Sequence, residues 1–198
     1  MPKLFETVLS ENSKVTPKQA MDWLSVNVNQ VNKIGRMNPK GIIDDGKPFQ
    51  RIQKISENSI GKMYFFNYDP KMKDILPYYD TYPLVFPIEH YGDSFLGINL
   101  HYLPPKLRMM LMNALLKTIN NDRYDKSTKL VISYQILNGA AKYKYFKPCI
   151  KKYLFSHVKS PFLYIAPNEW DIVCMLPTDR FVGAQRTTVY KDSQMAVR

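Results

Sequence analysis

Apolar residues recur at three- and four-residue steps in two segments and at alternate positions in a third, and these periods predict the elements. In the first segment Ala20, Trp23, Leu24, Val28 and Val31 share a helical face, with Thr16 as N-cap, Pro17 at the first helical position and Gly35 as the stop. In the second, KLRMMLMNALLKTIN follows Pro104-Pro105 and puts Leu107, Leu111, Ala114, Leu115 and Ile119 on one face. Met109, Met110 and Met112 widen that face as adaptable core or as a pliable contact surface. Between the two helices, Leu84, Phe86 and Ile88 alternate on one arm and Leu96, Ile98, Leu100 and Tyr102 on the other, with Tyr91-Gly92-Asp93 as the turn. That is a hairpin. Pro83 and Pro87 cannot donate to a ladder, so its first arm is expected at a sheet edge or with a bulge.

Shorter signals fill the rest. GKMYFFNYDP at 61–70 reads as a strand closed by Asp69-Pro70, and PFLYIAP at 161–167 as another. Gly139 is expected to stop the segment KLVISYQILN, PNEWDIVCML to form a short helix from Pro167, and the last twenty residues to be a polar tail. Residues 36–60 show no sustained period; they predict either a linker or an arm ordered by a partner. The expected fold is α+β: a small antiparallel β-barrel or curled sheet with flanking helices. Residues 1–60 form a helix and extended interaction arm and 61–198 the core domain.

Composition narrows the class. The chain has 198 residues, enough for one domain with a real core, and 13% of them are aromatic. Fourteen tyrosines suit contact surfaces, and Tyr78, Tyr79, Tyr82 and Phe49 are the expected protein interface. Cys149 and Cys174 stand alone, without metal spacing, and fit two semi-buried thiols in a reducing compartment; a disulfide stays open. The N-terminus lacks the apolar run of a signal peptide and no stretch is long enough to span a membrane, so a soluble protein of a cytoplasm is expected.

The formal net charge of +11 is local rather than spread. Between Asp125 and Glu169 there is no acidic residue, and eight lysines lie in that window. Lys142, Lys144, Lys147, Lys151, Lys152 and Lys159 are the candidate anion-binding residues. In Lys142-Tyr143-Lys144-Tyr145 a strand would part lysines from tyrosines. A helix begun at Pro148 would turn Ile150, Leu154 and Val158 inward and Lys151, Lys152 and Lys159 outward. Lysine without arginine suits point contacts to phosphate rather than reading of bases. Three readings stand open: a solvated face, a phosphate-contacting surface, or a dock for an acidic protein.

Catalytic signatures are missing. No phosphate-binding glycine loop, nucleophile elbow or HExxH occurs, and carboxylates do not cluster; Asp44-Asp45 before Gly46 reads as a turn. His90 sits by the hairpin turn, His101 alternates to the polar side of its strand, and His157 follows a helical segment. For none of them does the sequence name the positioned partner that acid–base work needs. No enzyme, cofactor, metal or small-molecule substrate is expected.

The stretch from Gly61 to Arg108, together with SPFLYIAPNEWDIVCMLP at 160–177 and VYKDS at 189–193, resembles proteins of T-even-like contractile-tailed bacteriophages. That resemblance implies a small virion- or genome-associated factor. Two readings compete within it. The first, favoured by the arm and the aromatic content, is a structural subunit of baseplate, tail or neck, with other virion proteins as partners. The second is a factor that caps the ends of the packaged genome, holding duplex DNA by its backbone.

Overall fold

The computed structural model describes residue 40 and residues 50–119, 121–142, 144–170 and 178–196. The helix read at Thr16–Val31, the Asp44-Asp45 turn, Phe49 and Cys174 lie outside them. The fold is α+β. Six strands, β1 (Gln50–Ile52), β2 (Met63–Phe65), β4 (Leu84–His90), β5 (Ser94–Asn99), β6 (Ile150–Leu154) and β7 (Phe162–Ile165), form one antiparallel sheet in the order β1-β7-β2-β4-β5-β6. β1 and β6 are its edges, so the sheet is open and the expected barrel does not close. A two-stranded ribbon pairs β3 (Tyr79–Asp80) with β8 (Phe181–Val182).

Alternation sorts the sheet's side chains onto two faces. Met63, Phe65, Leu84, Phe86, Ile98, Leu163 and Ile165 point toward the helices. There they meet Leu111 and Leu115 of α1 (Pro105–Ile119), Ile136, Leu137 and Ala140 of α2 (Lys126–Lys142) and Val189 of α3 (Arg186–Met195). Trp170 packs edge-on against Phe86 with ring centroids 5.0 Å apart, and its indole N–H donates to the Ile165 carbonyl at 3.0 Å. The other face carries Tyr64, Phe66, Val85, Phe95, Tyr153 and Phe162, covered by Ile55 and by the half-buried Ile52, Phe155 and Val158. Both faces are therefore buried. Residues 50–60 join this body through β1 and Ile55.

The hairpin and α1 follow the sequence pattern. The Tyr91 N–H donates to Ser94 O at 2.8 Å to close the turn. β4 lies inside the sheet, not at its edge; Pro83 precedes the strand, and Pro87 is accommodated by a register shift between Pro87 and Glu89. Opposite Pro87, Gly97 leaves room for β4, since a Cβ there would sit 2.2 Å from Val85 Cγ1.

Four expectations are corrected. α2, capped by Asp125 through the Thr128 N–H at 2.8 Å, runs through Gly139 to Lys142 because Ile136, Leu137 and Ala140 bury against the sheet. Hence Lys142 ends a helix, and a 3-10 segment, Lys144–Cys149, replaces the strand expected at 142–145. Pro148 lies inside that segment and starts no helix; Ile150–Leu154 instead becomes edge strand β6, with Ile150 opposite Ile98 and Tyr153 opposite Phe95. The tail folds as β8 and α3, with Val189 and Ser193 buried one turn apart. Of the short helix expected from Pro167, Pro167–Glu169 form a 3-10 turn that leads into a helical Trp170, and the rest lies outside the described residues.

Candidate nucleic-acid interface

Exposed lysines gather where α2 hands the chain to β6. Lys142 ends α2, where a cation complements the helix's partial negative charge, and Lys144 and Lys147 project from the 3-10 segment. Lys152 is exposed on β6, with its Nζ 5.4 Å from the Tyr91 ring centroid. Asp93 lies near it, with a carboxyl held below its ordinary range by the Ser94 hydroxyl, and Lys152 adds to that effect.

Lys151 differs from these. It is half-buried, its Nζ lies 4.1 Å from the Tyr102 ring centroid, and desolvation lowers its pKa. Below it Cys149 is buried, with its thiol pushed up to about 12 by desolvation. The two side chains next to each other on β6 also point to opposite faces. The lysine run thus contains one member set into the body and several facing solvent.

Lys159 stands elsewhere, in the turn before β7. Its N–H donates to Asn67 O at 2.9 Å, and the Asn67 N–H returns to Ser160 Oγ at 2.9 Å. A hollow of about 470 Å³ on one side of this turn is lined by Lys54, Phe155, Val158, Lys159 and Pro161. A second, of about 400 Å³, is lined by Lys40, Arg51, Asn67, Tyr82 and Lys159. Lys40, Arg51 and Lys54 were not picked out in the sequence. The spacing of Arg51 and Lys54 was a weak signal inside a segment that also carries Asp44, Asp45 and Glu57.

The predicted interface tyrosines are partly engaged inside the body. Tyr78 packs beside Tyr102 and Phe181, and Tyr82 stacks on Phe65 at 6.2 Å between ring centroids. Tyr79 is half-buried in β3. Exposed apolar surface lies instead at Met72, Ile75 and Leu76.

The histidines also find their places. His101 does not face the polar side of a strand; it lies in a 3-10 turn, Leu100–Tyr102, that follows β5, and it is fully buried. Its Nδ1 meets Asp80 Oδ2 at 2.7 Å and its Nε2 meets Thr178 Oγ1 at 3.0 Å. Asn99 donates to both Asp80 Oδ2 and Tyr153 Oη, at 3.0 and 3.1 Å. Carboxylate, imidazole and hydroxyl in this order are the parts of a nucleophile relay. Here all three are buried, which fits a structural clasp joining β3 and β5 to Thr178. His157 sits in a 3-10 turn with Nδ1 2.9 Å from the Asp69 carbonyl oxygen. Among the described residues no His/Cys/Asp/Glu cluster could hold a metal, and no helix is long and apolar enough to cross a membrane.

A family model described as phage T4 terminal DNA protecting protein matches residues 42–195. The chain belongs to that family. The phage resemblance read from residues 61–108, 160–177 and 189–193 is thereby borne out. No curated protein and no solved structure gives a significant match.

Proposed function

We propose that this protein binds the ends of linear phage DNA and shields them, through sequence-independent contacts between lysines and phosphates. The family match over residues 42–195 carries the reading, and it favours genome-end protection over the baseplate, tail or neck role. The lysine-rich, acid-free window supports it, since clustered cations draw a polyanion without reading its bases. Lys142, Lys144, Lys147 and Lys152 supply the contacts. The activity needs no catalytic step, cofactor or metal, and it operates in the virion and in the host cytoplasm where the particle is assembled.

Docking to other virion proteins is a second, compatible role, favoured by the exposed Met72, Ile75 and Leu76 between Pro70 and Pro77. The decisive experiment incubates linear duplex with purified protein and then with an exonuclease. Protection that falls steeply with salt is expected. Equal digestion with and without the protein rejects the reading.

A further inference from the structure

We propose that the hollow between Lys54 and Lys159 seats the terminal nucleotide of a DNA strand, its phosphate on the two ammonium groups and its sugar and base against Phe155, Val158 and Pro161. This assignment rests on the end-protection reading and gives it a place on the molecule.

Four observations converge. First, the two cations come from distant parts of the chain: Lys54 follows edge strand β1 and Lys159 precedes β7, and the pairing of β1 with β7 brings the segments together. Second, the turn that presents Lys159 is fixed. Besides its two hydrogen bonds with Asn67, the Ser160 hydroxyl donates to the Pro161 carbonyl at 2.9 Å. A cation on pinned backbone loses little freedom when an anion arrives.

Third, the volume of about 470 Å³ exceeds what a phosphate alone requires and lies within the range of small-ligand sites. The hollow is open at the surface, so a strand end can reach it. Fourth, the wall is aromatic and held in place. The Phe155 ring lies 5.7 Å from that of Phe95 and 5.8 Å from that of His90, centroid to centroid, and Lys54 Nζ stands 5.5 Å from the Phe155 centroid. Basic groups beside an aromatic wall are the usual means of holding an unpaired nucleotide.

One acid is close. Asp69 feels the charge of Lys159, but its carboxylate accepts from Lys73 at 3.0 Å. Lys40 lines the neighbouring hollow together with Lys159 and adds a cation to the rim.

The test measures binding of a short fluorescent duplex with phosphate on its 5′ ends, on its 3′ ends or on neither, against a duplex of the same length closed by hairpin loops. The wild type is expected to prefer open, phosphorylated ends, and the dependence on 5′ or 3′ phosphate identifies the strand end that enters. In the pair Lys54→Glu/Lys159→Glu, affinity for the open duplex is expected to fall about tenfold or more, the loss of a charged hydrogen-bond partner. Binding of the closed duplex should stay within about twofold, as for an unaltered interior contact surface. Lys54→Gln/Lys159→Gln repeats the test without charge reversal. Folded variants that keep the full preference for open ends overturn the site and leave end protection standing. A wild type that prefers open ends regardless of phosphate overturns the phosphate seat. A wild type that binds open and closed duplexes alike overturns both the site and the reading beneath it.

Discussion

Lys151 lays its ammonium group over the ring of Tyr102, with Nζ 4.1 Å from the centroid, and so leaves the lysine surface to which its neighbours in sequence belong. Desolvation lowers its pKa, whereas Lys152, one residue on, is exposed. A cation held this way stabilises by ring contact and destabilises by lost hydration, and the two largely offset. Lys151→Met is therefore expected to keep the fold and to shift the melting temperature by only a few degrees either way, about 1 kcal/mol or less. DNA affinity and its salt dependence should match the wild type. A fall in the salt slope on this substitution would place Lys151 among the phosphate contacts.

Lys144 and Lys147 are the contrasting pair. Both are exposed on the 3-10 segment between α2 and β6. If each meets a phosphate, each releases close to one counterion, so Lys144→Ala/Lys147→Ala should lower the slope of log K against log salt by about two. The loss should be equal for duplexes of unrelated sequence, because point contacts to phosphate carry no base code. A titration series from low to physiological salt checks it. An unchanged slope would assign these lysines to solvent.

How much of this was legible in the sequence depended on whether the deciding contacts were local. The Leu84/Phe86/Ile88 alternation and the Leu107/Leu111/Leu115 spacing record packing within one element, and both survive in the fold. Pro87 likewise announced the irregularity in β4. The segment Ile150–Val158 misled because Ile150 and Leu154 fit a helical step. In fact Ile150 and Tyr153 serve opposite faces of a sheet buried on both sides, and no simple period records that. His101 was hidden for a similar reason. Its partners lie 21 and 77 residues away, and the chain leaves β5 at Asn99 for a 3-10 turn that breaks the alternation. In the candidate site, the lysine run was visible as composition. The convergence of Arg51 and Lys54 on Lys159 depends on strand pairing and was not.

The buried clasp around His101 makes a stability prediction. Asp80 accepts from His101 Nδ1, from the Asn99 amide and from the Tyr82 N–H at 3.1 Å. Asp80→Ala would leave three buried or part-buried donors without that acceptor, and a loss of about 3 kcal/mol is expected in urea denaturation. Thr178→Val removes one bond at the far side of the ring, with a cost of about 1 kcal/mol. Because both residues hold the same imidazole, the double variant should depart from additivity by about 0.5 kcal/mol or more. Additive losses would show that the clasp does not act as a unit.

Alkali should unfold the protein through its tyrosines. Desolvation raises the pKa of Tyr64, Tyr68, Tyr102 and Tyr153 above the unfolded value of 10.0. With the folded value higher, the native state retains protons that the unfolded state has released. The stabilisation is fully present below pH 10 and is lost as pH climbs from there toward the folded values. Lys151 works the other way: desolvation lowers its value below 10.5, so its penalty is present at neutral pH and eases as pH rises through the lowered folded value to 10.5. One half-buried lysine opposes Tyr64, Tyr68 and Tyr153 of the second core face and Tyr102 of the first, so the net slope is downward. Unfolding followed by circular dichroism should therefore coincide with the rise of tyrosinate absorbance above pH 10. Full tyrosinate absorbance with an intact circular dichroism signal would show that these rings ionise without leaving the core.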